Sequence, residues 1–199
     1  MLTELEAVNA ILRNLGTAAV TSLDTVSNPD VQAAISSLND KRVAVQSQAW
    51  WFNTQENVTL ARNLVDEIAI PSTTVTLDTS KCGTDVVQHG LRLFNRETNS
   101  YKFDKNLTDI WLVTALPWDD LPYSVREVVK FSAMIQVQSD LEGDGEKLAQ
   151  VEGQLQGAFL TMKREHVRNR GVNAFKNPRT ALMLNGPRWG GRNPYRIGG

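Results

Sequence analysis

Two histidines, one cysteine and two clusters of acids are the side chains in this 199-residue sequence whose types could carry chemistry. His89 and His166 have no cysteine or carboxylate at metal-ligand spacing, so ordinary ring packing is the expectation for both. Cys82 follows Lys81 in a polar stretch, with no histidine at a spacing known for thiol enzymes, and as the sole cysteine it has no partner for an internal disulfide. Asp119-Asp120 and the group Asp140, Glu142 and Asp144 are the kind of paired carboxylates a glycosidase places on either side of a glycosidic bond. Both clusters fall where helix caps and turns favour acids, which is the simpler reading. Gly143-Asp144-Gly145 is not a phosphate loop, because it lacks the third glycine, the following Lys-Ser/Thr and a preceding strand. These residues define no catalytic, cofactor-binding or metal-binding group, and the expectation is a protein that is not an enzyme and needs no cofactor.

A different chemistry is written in the charge distribution. Residues 1–162 hold 12 Lys and Arg against 21 Asp and Glu, a balance of −9, whereas residues 163–199 hold 9 against the single acid Glu165, a balance of +8. A basic end on an acidic body is suited to a negative partner. Within that end Arg188, Trp189, Arg192, Tyr195 and Arg196 interleave cations with aromatic rings. Such interleaving fits nucleic acid, where bases stack on rings. It equally fits an arm docking in a groove on another protein, where Trp, Tyr and Arg are the usual anchors. Spacing leaves both open.

These residues depend on elements that can be read from the periodicity. Thr3-Glu4-Leu5-Glu6 has the form of a capping box, and Leu5, Val8, Leu12 and Leu15 follow at helical spacing up to Gly16. Asn28-Pro29 opens a second helix carrying Val31, Ile35, Leu38, Val45 and Ala49, interrupted by Arg42, whose head is expected to snorkel to water. This helix runs into Trp50-Trp51-Phe52, three consecutive rings that must be covered by the core or by another subunit. They form the joint between a helical body and a β-rich insertion. Beyond it the period changes to two. Val86 to Leu93 alternates like one strand, Asn95 to Asn99 reads as a hairpin loop into Tyr101-Lys102-Phe103, and Ile110-Trp111-Leu112-Val113 reads as a strand buried on both faces.

Leu116 to Pro122 returns the chain to helix, with Asp119 or Asp120 placed to cap. The helix at about 121–141 has an apolar stripe too wide for cover on one side only. A Glu142-Gly143-Asp144-Gly145 turn then leads to a long last helix with Leu148, Val151, Leu155, Phe159 and Met162 in register. Gly153 and Gly157, four apart on a neighbouring line, remove side chains where a second backbone can approach, at about 1 kcal/mol of helix propensity each, and mark a subunit interface. From Gly171 on, Pro178, Gly186-Pro187, Gly190-Gly191 and Pro194 exclude regular structure.

The expected fold is thus α+β. Residues 1–49 and 116–170 form a discontinuous bundle of about four helices, residues 50–115 an inserted, mainly antiparallel β region, and residues 171–199 an extended basic arm. With 41% hydrophobic and 22% charged residues the composition is that of an ordinary globular chain. It holds no run of 18 apolar residues, and its start lacks a signal peptide's basic and apolar regions, so the expectation is synthesis in the cytoplasm without membrane insertion.

The opening Met1-Leu2-Thr3-Glu4-Leu5-Glu6-Ala7-Val8-Asn9-Ala10-Ile11-Leu12, then Trp50-Trp51-Phe52-Asn53-Thr54 with Asn57-Val58-Thr59-Leu60, resembles the tail tubular protein A family of short-tailed bacteriophages. So do Arg92-Leu93-Phe94-Asn95-Arg96, Tyr101-Lys102-Phe103 and Leu116-Pro117-Trp118-Asp119-Asp120-Leu121-Pro122. The likeness covers about residues 1–170, with the Trp-Trp-Phe-Asn-Thr stretch its most specific part. It implies a structural virion protein, the tail adaptor or gatekeeper, made in the host cytoplasm and built as a ring of twelve copies. That ring would lie between the portal protein and the tail nozzle (tail tubular protein B), surround the DNA exit channel, and hold the portal with its C-terminal arm. The alternative reading is a virion-associated protein that binds or degrades host polysaccharide through acids and aromatics of the β region.

Overall fold

The computed structural model describes residues 2–24, 28–141 and 145–170. Four helices, α1 (Glu4–Asn14), α2 (Pro29–Gln46), α3 (Tyr123–Leu141) and α4 (Gly145–Asn169), enclose in sequence five strands, β1 (Thr54–Leu60), β2 (Thr74–Asp78), β3 (Val86–His89), β4 (Arg92–Asn95) and β5 (Leu107–Thr114). The fold is the expected α+β mixture. The expected arm at 171–199, with Arg188, Trp189, Arg192, Tyr195 and Arg196, lies outside the described residues, as do Glu142, Gly143 and Asp144.

Local chemistry sets the helix ends. The Thr3 hydroxyl accepts the Glu6 amide at 3.1 Å while Glu6 accepts the Thr3 amide at 2.8 Å, completing the capping box. That amide holds the Glu6 carboxyl below its ordinary range. Gly16 takes a φ of 75°, and the following Thr17 amide reaches back to Leu12 O, which stops α1. Asn28 caps α2 through the Asp30 amide, with Pro29 in the first turn. At α3 the expectation of an aspartate cap is replaced by another device. Trp118–Asp120 form a short 3-10 turn, and the Pro122 carbonyl accepts the amides of Val125 and Arg126 to start the helix.

Helix α3 is the hub of the bundle and packs against α1, α2 and α4. It runs parallel to α1, since Arg126 reaches Leu2 O at one end and Asn14 reaches Gln138 at the other. It runs antiparallel to α4, where Ser124 donates to Glu165. Three neighbours explain its wide apolar stripe, with Val125, Val128, Val129, Ala133 and Val137 all buried. The breadth is therefore satisfied inside the chain and does not by itself require a second subunit.

Strand β5 is central in a three-stranded antiparallel sheet of order β1-β5-β2. Ile110, Leu112 and Val113 are buried on its two faces, as the continuous apolar run implies. The reading of residues 86–93 as one strand is corrected. Gly90, at φ 61°, breaks it into the β3–β4 hairpin, because a left-handed residue turns the chain where a side chain would strain. Ile68–Ile70 bonds to the backbone at Leu91 and Leu93 beside that hairpin. The Asn95 side chain accepts the amides of Glu97 and Thr98, fixing the expected turn at 95–99. The described residues form two buried apolar clusters. One is shared by the helices with Trp50 and Trp118, the other lies in the β region around Leu93, Phe103, Leu107, Ile110 and Leu112.

Candidate functional site

The joint between the two clusters is built from one aromatic side chain and two amides. Ala49, at φ 62°, turns the chain sharply out of α2. Trp50 then drops into the bundle core, 6% exposed, with its indole N–H donating to Val45 O at 2.7 Å. It stands edge-on to Phe159 and His166 of α4, at ring separations of 6.0 and 5.2 Å. Trp51 and Phe52 are half-buried, edge-on to each other at 5.2 Å.

The β region leaves the bundle at 46–53 and returns at 114–116, and two buried amides lock exit to return. Gln46 exchanges two hydrogen bonds with the Leu116 backbone, at 3.1 and 2.7 Å. Asn53 accepts the Trp50 amide and donates to Gln46 O and Thr114 O. Periodicity singles out neither Asn53 nor Gln46. The available signal was a glutamine four positions ahead of the first ring, in a place that helical spacing puts beside the buried face.

His166 closes this joint from α4. Burial lowers its pKa below the ordinary histidine value, and the Arg170 charge adds to the effect. Its Nδ1 is shielded from water and has no hydrogen-bond partner among the described residues. Facing it are the neutral rings of Trp50 and Trp51. On its own helix stands Glu165, which accepts from Ser124, and just past the helix end stands Arg170, which lies 3.9 Å from Glu56. The folded state therefore prefers the neutral imidazole. Stability from this site is complete above the unfolded pKa of about 6.5 and is lost as pH falls from there through the lower folded value. Denaturation midpoints of wild type should drop between pH 7.5 and 5.5, and His166→Phe, which keeps a ring and cannot protonate, should drop less. Equal losses in the two proteins would assign the acid sensitivity elsewhere.

The other side chains whose types could carry chemistry are dispersed. His89 stacks on Phe94 at 4.9 Å with its Nδ1 3.2 Å from the Tyr101 hydroxyl, and Cys82 donates to Thr84 O. Asp119 and Asp120 sit exposed on the 3-10 turn, far along the chain from Asp140 at the end of α3. Among the described residues no group of His, Cys, Asp and Glu is arranged to hold a metal ion, and no helix is long and apolar enough to cross a membrane. A hollow of about 200 Å³ on the β region has Glu56, Asp78, Asp109, Lys81 and Trp111 in its wall. Asp78 is committed there to the Ser80 amide, which lowers its pKa.

Open surface concentrates on α4. Of its 25 residues, Val151 and Met162 alone are classed as buried. Gly153 and Gly157 face outward, and a Cβ on either would meet no atom within 4 Å, so neither glycine serves a close helix contact within the chain. Leu160 and Val167 on the same side are each 55% exposed. Beside them a groove of about 460 Å³ runs between α3 and α4, with Tyr123, Phe131, Gly157 and Ala158 in its wall. A second exposed feature is the turn at Asn63–Asp66. The Asn63 side chain accepts the amides of Val65 and Glu67, and Arg62 pairs with Asp66, which together hold Leu64 fully in solvent.

Residues 5–172 match the family described as tail tubular protein. The chain belongs to that family. It is therefore a structural component of a bacteriophage tail, and its place is the virion. The matched stretch begins within α1 and ends just beyond α4, so it takes in the bundle, the joint and the β region together. No curated protein matches the chain. The bare side of this tail tubular protein's α4 and its Leu64 turn are two of the places where apolar groups are left uncovered.

Proposed function

We propose that this tail tubular protein is the adaptor, or gatekeeper, of a short-tailed phage, a ring of identical copies between the portal and the tail nozzle around the path of the DNA. The observation that carries the reading is α4. A helix of 25 residues with two of them buried is a poor end state for a monomer, and a ring supplies cover for its outer side along every copy. Gly153 and Gly157 then serve the subunit interface, where their lack of side chains lets a neighbour's backbone come close. Mass measurement in solution and on portal rings tests the ring. A single copy at every concentration and on the portal would refute it.

The basic arm at 171–199 is assigned to the portal, with Trp189 and Tyr195 as anchors and Arg188, Arg192 and Arg196 against acidic groups. Trp189→Ala should weaken portal binding by about 2 kcal/mol, some 30-fold, as expected for an aromatic anchor. Truncation after Gly171 should abolish measurable binding to purified portal rings. Undiminished affinity of the truncated chain would leave the arm to DNA, whose signature is a log–log salt slope near −0.9 per phosphate neutralised.

The hollow at Glu56, Asp78, Asp109 and Trp111 favours a second reading, polysaccharide binding or cleavage on the β region. A turnover assay on capsular polysaccharide with Glu56→Gln and Asp109→Asn, and with Asp119 and Asp120 replaced, separates the two. Turnover lost on the first pair would move the protein to the enzymes. Absence of turnover in wild type leaves the structural reading alone.

A further inference from the structure

The bare side of α4 has a counterpart elsewhere on the same chain. Helices α2 and α4 both pack on α3, and they run in the same direction. Ala33 and Ser36 near the start of α2 share a groove with Val137 and Asp140 at the end of α3, next to where α4 begins. At the other end Trp50, just past α2, meets Phe159 and His166 near the end of α4. On its outer side, along the edge of that groove, helix α2 shows Ser36, Asp40 and Val43 to solvent, with Ala33 half-buried in line with them. Its buried residues Val31, Ala34, Leu38 and Val45 line one face, and the outer line opposite them is made of small and short side chains. Asp40 and Arg164 are both exposed, and neither is paired among the described residues.

We propose that α4 of one copy docks along α2 of the next, which supplies the two unlike faces that a closed head-to-tail ring requires. The inference rests on the ring reading above and names the contact that builds it. The outer line of α4, Gly157, Leu160, Arg164 and Val167, is spaced three, four and three apart. So is the outer line of α2, Ala33, Ser36, Asp40 and Val43. Such spacing is a seam that a second helix can follow, as in knobs-into-holes packing. Copies related by a small rotation keep their helix directions nearly unchanged, so the neighbour's α2 meets α4 running parallel to it. In that register Gly157 falls opposite Ala33, Arg164 opposite Asp40 and Val167 opposite Val43. Small side chains meet small ones at the close end, opposite charges meet in the middle, and the exposed valines cover each other.

Cysteine cross-linking tests the pairing directly. In a Cys82→Ser background, Ala33→Cys combined with Gly157→Cys brings a thiol on each helix within reach only if the two lines face each other across copies, since a disulfide needs Cα atoms roughly 4.4–6.8 Å apart. Gly157 stands in open space within its own chain, so the substitution leaves the monomer fold intact. Mild oxidation of the assembled protein should give a ladder of linked chains well beyond dimers on a non-reducing gel, while each single cysteine gives dimers at most. Exchanging the charges with Asp40→Arg and Arg164→Asp should impair assembly at least tenfold singly and restore it together. Particles of wild-type mass without a ladder, or without rescue by the exchanged pair, would overturn this pairing and leave the ring standing. A protein that stays a single copy both alone and on the portal would remove the ring and the pairing together.

Discussion

Trp50→Ala is expected to destabilise the protein by about 3–5 kcal/mol, the cost of emptying a buried tryptophan site that cannot collapse. Trp50 is 6% exposed, wedged between Phe159 and His166, and its indole N–H satisfies the Val45 carbonyl. The substitution therefore opens a cavity, removes one hydrogen bond to the Val45 carbonyl and removes two edge-on ring contacts at once. For a chain of this size each kcal/mol moves the melting temperature by about 2–4 °C, so a fall of roughly 10 °C is the expected reading. Trp51→Ala should cost clearly less, because Trp51 is half-buried and leans on Phe52 at the surface of the joint. Calorimetry of the two single variants checks the order. A Trp50→Ala protein melting within a degree or two of wild type, or a reversed ranking, would show that the joint is not held by this ring.

The second large effect is expected at Arg126. This arginine is 3% exposed, and its guanidinium is spent on carbonyls: Leu121 O at 2.9 Å, Leu2 O at 2.9 Å and Asp119 O at 2.6 Å. It ties the start of α1 and the 3-10 turn before α3 to one point, beside the Trp118 indole, which also donates to Leu2 O. Arg126→Met preserves much of the stem's packing and removes all three charge-assisted hydrogen bonds, each worth about 1.5–3 kcal/mol. Relief from burying the cation offsets part of this. A net loss of about 3 kcal/mol or more is expected. Arg126→Lys should recover only a fraction, since one ammonium cannot serve three divergent carbonyls as a planar fork does. The measurement is the denaturant midpoint at constant slope, and a midpoint unchanged in Arg126→Met would assign those carbonyls to water instead.

Much of the scaffold was legible because its signals are local. The capping box at Thr3, the Asn28-Pro29 start, the turn at Asn95 and the apolar run of β5 each follow from side chains within a few residues of one another. The joint was half legible. Three adjacent rings must be covered whatever the fold, so burial at Trp50 could be expected. That Gln46 and Asn53 stitch the exit strand to the return at Thr114 and Leu116 could not, since those partners lie some 60 to 70 positions away and no spacing encodes them.

What the amino-acid order determined by itself is the alternation of helical and strand segments, the acidic body and basic end, and the stretch that marks the family. These depend on periodicity and composition, which tertiary contacts do not alter. Which helix would be left bare was decided only by the tertiary structure. The stripe of α3 is too wide for cover on one side only, and three neighbours in its own chain cover it. The helix left exposed is α4, packed along one side only, with its glycines turned to solvent. An apolar stripe records that a helix must be covered. Only the packing of the other helices says by what, because cover is a property of the arrangement and not of the stripe.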